Sequence, residues 1–102
     1  MNIGVFGTTS EQIYMKIKLL SKTLPQENIL KIQLSKNGEN CRIEMIGGEH
    51  YIGMYTSERA RGHKWKQAYI PYNIDLKILK CVILPSLISN LPKHEQIIGY
   101  WC

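Results

Sequence analysis

The order of hydrophobic and polar positions predicts that the chain opens with a strand, a glycine turn and a helix. Residues 2–6 are β-prone and lead into a turn made of Gly7, Thr8, Thr9 and Ser10. Thr8 with Glu11, or Thr9 with Gln12, fits the capping box that starts a helix. Hydrophobic residues then recur at helical spacing, at Ile13, Ile17, Leu20 and Leu24. We expect the helix to end before Pro25, because the residue that precedes a proline disfavours helical conformation.

The middle of the chain alternates with the period of two that is typical of strands. Residues 29–34 form a predicted half-buried strand with three apolar residues on one face: Leu30, Ile32 and Leu34. Residues 41–46 and 51–56 are two further β-rich runs, and the Gly47-Gly48 turn between them predicts a hairpin. In the first hairpin strand, the side chains of Cys41, Ile43 and Met45 share one face. Its partner offers either Ile52 and Met54, or Tyr51 and Tyr55.

The last third of the chain predicts a strand, a helix and a final short strand. Residues 67–72 are β-prone, but Pro71 removes a ladder donor, so the strand must end there or lie at an edge. Asn73 is a candidate cap for a helix from Ile74 that Pro85 ends or kinks. Its predicted buried residues are Leu76, Leu79 and Ile83. Residues 86–91 fit a further helical turn, and residues 96–101 a last strand.

These elements predict a small α/β or α+β protein that forms a single domain over residues 1–102. We expect one mixed sheet of about five strands, including the hairpin at 41–56, with two main helices. A chain of 102 residues is the usual size for one hydrophobic core.

Composition adds a basic character to this fold. The formal net charge is +5 and the pI is near 9.2, which favours nucleic acid, a nucleotide or an acidic protein surface as a partner. No apolar run approaches the roughly 18 residues that span a membrane, and no export signal is visible. The odd number of cysteines, at Cys41, Cys81 and Cys102, then indicates reduced thiols in a cytoplasmic protein. We expect two of them to be buried.

Residues 57–66, the basic segment, concentrate this charge. They hold four Lys or Arg residues against Glu58 alone, which gives +3 of the chain total of +5. A compact domain does not need such a cluster to fold. The candidate anion-binding residues are Arg59, Arg61, His63, Lys64, Trp65 and Lys66. In this hypothesis Trp65 or Tyr69 stacks on a base; the alternative is a solvated loop whose Trp65 anchors in the core.

The turn of Gly7, Thr8, Thr9 and Ser10 is a second candidate site, for phosphate. Backbone N–H groups and the helix dipole both favour an anion at a helix N-terminus. The alternative is an ordinary helix cap.

Catalytic chemistry has little support in the sequence. His50, His63 and His94 lack the spacing of metal ligands, and no nucleophile motif is present, so we expect no catalytic residue, metal or cofactor. A Cys–His or Ser–His pair assembled in space stays open. One enzymatic alternative is a nuclease that uses His63 with Asp75 or Glu58.

The order of motifs resembles part of a phage terminase-type P-loop ATPase, over roughly residues 41–75. The likeness rests on the glycine hairpin at 42–53, on Arg61-Gly62-His63 and on the apolar run Ala68-Tyr69-Ile70. A working P-loop needs G-x-x-x-x-G-K-[ST], whereas residues 4–10 have no lysine and the first acid after the later strand is Asp75. The resemblance therefore implies a relative that does not hydrolyse ATP.

Two functions follow as hypotheses. The first is a non-catalytic protein of phage or mobile-element origin that docks nucleic acid or a nucleotide through the basic segment. The second is a protein–protein inhibitor of a host defence or nucleic-acid-processing factor. Self-association is a further expectation, through a sheet edge formed by the hairpin with Tyr51, Ile52 and Tyr55.

Overall fold

A mixed sheet of six strands, in the order β2-β3-β4-β1-β5-β6, is the centre of the fold. The computed structural model describes residues 1–57, 62–88 and 93–100. The strands are β1 (Asn2–Gly7), β2 (Ile29–Gln33), β3 (Arg42–Met45), β4 (His50–Tyr55), β5 (Trp65–Pro71) and β6 (Ile97–Tyr100). β4, β1, β5 and β6 are parallel neighbours, and β2, β3 and β4 pair antiparallel. The predicted α+β fold is confirmed, with one strand more than expected.

Helices cover the two faces of the sheet. α1 (Ser10–Thr23) lies on one face, and α2 (Leu76–Ile78) lies on the other. α2 continues as the π-helical turn Leu79–Ile83 and the 3-10 turn Leu84–Ser86, while α3 (Lys93–Gln96) leads directly into β6. Short 3-10 turns, Gln26–Asn28 and Gly38–Asn40, flank β2.

The alternation of β1 divides the core between these faces. Ile3 and Val5 are fully buried with Ile13 and Ile17 of α1. Phe6, from the opposite side of β1, packs with Trp65 and with Val82 and Ile83. β1 is thus buried on both faces, as expected for a central parallel strand.

α1 starts and stops where the sequence predicts. Of the two proposed capping pairs the structure has Thr9 with Gln12: Thr9 Oγ1 accepts from the backbone N–H of Gln12 at 3.1 Å. The helix ends at Thr23, and the N–H of Leu24 donates to the carbonyl of Leu20.

The hairpin is confirmed, but it is not at an edge. β4 lies between β3 and β1, and Tyr51 is buried on the α1 face with Cys41 and Ile43. Ile52 and Met54 face the other core cluster. The expectation that Tyr51, Ile52 and Tyr55 form an open edge for self-association is therefore wrong.

The apolar face of β2 is not covered as predicted. β2 is one of the two edge strands of the sheet, with β6 at the other edge, and Leu30, Ile32 and Leu34 are 69%, 42% and 39% exposed. α1 is centred over β1 and β4, so its buried residues do not reach this far along the sheet.

The second helix begins later than predicted. The N–H of Ile74 donates to the carbonyl of Pro71, which makes residues 71–74 a turn. Asp75 then caps the helix, with its Oδ1 accepting from the N–H of Lys77 at 2.8 Å. Leu76, expected to be buried, is 63% exposed, whereas Ile83 is buried as expected.

Pro71 ends β5, as expected, inside the sheet. Of the cysteines, Cys41 is buried as expected, but Cys81 is exposed. The expectation of two buried thiols and one at the terminus is therefore wrong at Cys81. Residues 89–92, 101 and 102 lie outside the described part of the chain. Parts of the predicted helical turn at 86–91 and of the predicted strand at 96–101 therefore lie outside it too. No helix among the described residues is long and apolar enough to cross a membrane.

The burial of Tyr51 makes the stability of the fold decrease at alkaline pH. Burial, followed by the nearby Tyr69 and Glu49, raises the pKa of Tyr51 to about 12, against about 10 for an unfolded tyrosine. Neutral Tyr51 therefore favours the folded state below pH 10, and this contribution is lost as the pH rises from about 10 to about 12. We expect Tyr51→Phe to reduce the alkaline loss of stability, measured by urea denaturation across this pH range. Equal pH dependence in both proteins would contradict this assignment.

Candidate anion-binding sites

The carboxyl ends of β1 and β5 form a topological switch point. The two strands are parallel neighbours. The chain after β1 enters α1 on one face, whereas the chain after β5 enters α2 on the other. Because these connections leave toward opposite faces, they leave a crevice beyond the carboxyl ends of the two strands. This is the usual ligand position in open α/β sheets. The predicted phosphate turn, Gly7 to Ser10, lies here.

Three polar side chains join the two lips of this switch-point crevice, which we define by residues 7–10, Gln12 and Asn73. Gln12 Nε2 donates to Asn73 Oδ1 at 3.1 Å, and Asn73 Nδ2 donates to Thr8 Oγ1 at 3.2 Å. The backbone N–H of Thr8 donates to Gln12 Oε1 at 2.7 Å. Asn73 was predicted to be a helix cap, and its position in the crevice explains why Asp75 caps α2 instead.

The crevice continues as an open cleft of about 540 Å³ along α1. This volume lies within the range of small-molecule sites. Thr8, Thr9 and Asn73 line its polar end, and Met15 and Leu19 line its apolar side. Glu11 and Lys16 are the charged residues among its lining side chains. The cleft therefore combines hydrogen-bonding groups, an apolar wall and one charge of each sign.

Two tyrosines lie beneath the first turns of α1. Ser10 Oγ contacts the hydroxyl of Tyr55. Lys16 Nζ lies 5.3 Å from the ring centroid of Tyr69, and burial raises the pKa of Tyr69. Tyr69 is thus a neutral aromatic support for the Lys16 ammonium. A base that stacked on Tyr69 would have to share its ring with the Lys16 ammonium.

The N-terminus of α1 faces the crevice. Helix geometry leaves the first-turn N–H groups without acceptors inside the helix. The side chains of Thr9 and Gln12 satisfy the N–H groups of Gln12 and Thr8, which is the predicted cap. The N–H groups of Ser10 and Glu11 are the first-turn donors left to an anion by this arrangement.

The two described ends of the basic segment lie at opposite ends of the sheet. Ser57 is at the crevice end, next to Thr56, whose N–H donates to the carbonyl of Gly7 at 3.1 Å, whereas residues 62–66 are at the other end. Trp65 is paired with Asn2, at the amino end of β1, whereas the switch-point crevice follows Gly7. Seven residues of β5 separate the two ends, which is roughly 20 Å at strand rise. A small ligand in the crevice therefore cannot also contact His63 or Lys64.

Trp65 is the core anchor and not a stacking platform. Its side chain is fully buried. It packs edge-on against Phe6, with ring centroids 5.5 Å apart, and His63 stacks on it at 5.0 Å. The interpretation in which Trp65 stacks on a base is wrong for this structure, because its buried ring offers no face to a ligand.

The cations of the basic segment are divided. Lys66 is the extra residue of a β-bulge between β5 and β1, and its Nζ lies 3.1 Å from Glu49 Oε2. His63 and Lys64 are exposed. Arg59 and Arg61 lie outside the described residues. Among the described members of the segment, His63 and Lys64 are thus the groups placed to meet an anion.

A small cavity of about 180 Å³ adjoins His63 and Lys64. Cys81, Pro85 and Ser86 of the helical segment after α2 line its other side. Sequence spacing gave no sign that Cys81 and His63 would share a cavity, because the pairing depends on how residues 76–86 pack across the sheet.

The enzymatic alternative does not fit the geometry of its described pair. His63 precedes β5 and Asp75 follows it, so the two side chains lie at opposite ends of that strand. Glu58, the other proposed partner, falls outside the described ranges. Among the described residues, no group of three or more His, Cys, Asp or Glu side chains is placed to hold a metal ion.

Comparison with models of known protein families, with curated proteins and with solved structures gives no match to this chain. The resemblance to a terminase-type P-loop ATPase, and the phage origin and host-factor inhibition that it suggests, therefore stay hypotheses.

Proposed function

We propose that this protein is a non-catalytic binding module for a phosphate-bearing ligand, and that it holds a nucleotide in the switch-point crevice. The observation that carries this proposal is the position of the crevice. Neighbouring parallel strands, β1 and β5, end there with connections that leave toward opposite faces. α/β sheets commonly bind ligands at such a point.

The residues of the crevice support a phosphate at its polar end. The N-terminus of α1 carries a partial positive charge, and its first-turn N–H groups are hydrogen-bond donors. Asn73 and Thr8, which hydrogen-bond to each other across the two lips, line the polar end of the cleft. Met15 and Leu19, which are 52% and 53% exposed, provide an apolar wall farther along α1 that suits the base or sugar of a nucleotide.

The two charged side chains of the cleft should affect the affinity for an anion in opposite directions. Lys16 attracts an anion and Glu11 repels it, and both line the same cleft. Nothing in the turn supplies the lysine that holds terminal phosphates in a working P-loop. This supports binding without phosphoryl transfer.

Nucleic acid held by the basic segment is the second candidate, favoured by the exposure of His63 and Lys64. Such binding would weaken steeply with salt, because phosphate contacts release counterions. The crevice and Lys64 lie at opposite ends of the sheet, so substitutions at Lys16 and at Lys64 can separate the two candidates.

Calorimetric titration at low salt, with adenosine triphosphate and with a single-stranded oligonucleotide, tests both. Surface charge effects of about 0.5–1 kcal/mol correspond to roughly two- to fivefold in affinity. For the nucleotide we expect Lys16→Gln to weaken binding by about this factor and Glu11→Gln to strengthen it. Lys64→Gln is the matched control at the other end and should leave nucleotide affinity unchanged.

Two results would contradict the crevice proposal. One is no heat of binding with the nucleotide at low salt. The other is nucleotide binding that responds only to Lys64→Gln, which would move the site to the basic segment. Oligonucleotide binding that falls with salt and with Lys64→Gln supports the second candidate.

A further inference from the structure

β2 leaves one side of the sheet open. It is the first strand in the sheet order, and its only partner among the described strands is β3. Edge strands expose unpaired N–H and C=O groups that can pair with another chain. We propose that β2 pairs antiparallel with β2 of a second copy, about a two-fold axis at Ile32, so that one sheet runs through a homodimer.

An apolar stripe runs along this edge. Leu30, Ile32 and Leu34 lie close together in the sequence, and their side chains are 69%, 42% and 39% exposed. Single exposed apolar residues are ordinary, whereas contiguous ones mark interaction sites. Ile32 lies directly opposite Ile43, which is fully buried. Ile32 therefore continues the hydrophobic core under α1 to this edge. Leu30 is the extra residue of a β-bulge between β2 and β3.

The sequence of β2 is self-complementary about Ile32. An antiparallel two-fold axis at this residue sets Ile32 opposite the partner's Ile32. At the ends of this pairing, Leu30 at the β-bulge lies across from the partner's Leu34, which follows β2, by sequence position. On the other face it sets Lys31 opposite the partner's Gln33. A two-fold one residue earlier would place the two Lys31 ammonium groups opposite each other, which is unfavourable. Charge thus disfavours the register centred on Lys31, and the register centred on Ile32 pairs the apolar residue Ile32 with itself.

The neighbouring strand extends this complementarity. Within one copy, Lys31 lies opposite Glu44, and Gln33 lies opposite Arg42. Across the proposed dimer the polar row therefore reads Glu44, Lys31, then the partner's Gln33 and Arg42. No two like charges are adjacent in this row. The apolar row reads Ile43, Ile32, then the partner's Ile32 and Ile43.

A second copy suits this edge better than a nucleic acid would. Three apolar side chains have no complement on a phosphate backbone, whereas an isologous interface needs only a patch that matches itself. The net charge of +5 makes two copies repel each other. Added salt screens that repulsion, so dimerisation should strengthen with salt, opposite to nucleic-acid binding.

Sedimentation velocity on the nuclease-treated full chain, over a concentration series, tests the proposal. We expect a monomer–dimer equilibrium in which Ile32→Lys raises the dissociation constant at least tenfold. Leu76→Lys is the matched control, because Leu76 is 63% exposed and lies on the opposite face of the sheet, in α2. It should dimerise like the wild type. Circular dichroism checks that both variants are folded.

Cross-linking tests the register independently. Paired residues in an antiparallel ladder have Cα atoms about 4.5–5.5 Å apart, which a disulfide can span. In a background with Cys81→Ser and Cys102→Ser, oxidised glutathione should convert Ile32→Cys into a covalent dimer. Leu30→Cys, which would face Leu34 of the other copy, should cross-link far less.

Three outcomes would overturn the dimer. These are a wild-type protein that stays monomeric at the highest soluble concentration, an Ile32→Lys variant that dimerises like the wild type, and association that disappears with Leu76→Lys. Equal cross-linking at positions 30 and 32 would overturn the register.

Discussion

Replacing Trp65 by alanine is expected to lower the free energy of unfolding by about 3–5 kcal/mol, the usual loss for a large buried aromatic side chain. Trp65 is fully buried between Phe6 and His63. Its loss opens a cavity where the amino end of β5 packs on β1. A domain of this size is stable by about 5–15 kcal/mol in total, so urea denaturation should show a much weakened or largely unfolded protein.

Trp65→Phe is the matched control for this variant. Trp65 Nε1 has no hydrogen-bond partner in the described structure, so phenylalanine sacrifices ring volume but no hydrogen bond. We expect a clearly smaller loss of stability than with alanine. If Trp65→Ala were as stable as the wild type, the indole could not be the core anchor, and its role as a base-stacking group would return.

Gly4→Ala is expected to cost about 1–3 kcal/mol, because it inserts a methyl group into a filled core. A Cβ at Gly4 would lie 2.4 Å from Phe6 Cε2 and 3.2 Å from Trp65 Cδ2. Both rings belong to the same cluster and hold each other in place. The ring of Phe6 therefore has to shift, and its contact with Trp65 shifts with it.

Gly47→Ala is the control, because a Cβ at Gly47 meets no atom within 4 Å. It should unfold at the same urea concentration as the wild type, whereas Gly4→Ala should unfold at a lower one. Equal stability of Gly4→Ala and the wild type would mean that Phe6 does not lie across Gly4 as described.

Local signals predicted the elements well. The sequence predicts that α1 starts at the Thr9–Gln12 cap and ends before Pro25, and the structure has both boundaries. The Gly47-Gly48 turn predicted the hairpin because turn chemistry acts over a few residues. Periodicity also identified β2, but a period of two says which residues share a face and not whether anything covers that face. The uncovered stripe depends on sheet order, which is set by distant pairings.

The candidate sites were harder to predict for the same reason. Asp75 and Asn73 are both good helix caps by residue type. The choice between them depends on Gln12 and Thr8, far away in the sequence. The basic segment was predicted from charge alone, and charge could not reveal that Lys66 meets Glu49 or that Trp65 points inward.

The central position of β1 has a consequence for how the chain reaches its native state during synthesis. β1 is made first, but its two neighbours are β4 and β5, so more than half of the chain must leave the ribosome before the second one is available. Pairings of such long sequence separation form slowly. Until then the apolar residues of β1 stay uncovered on the nascent polypeptide, which makes this stretch a natural target for chaperones that bind emerging chains.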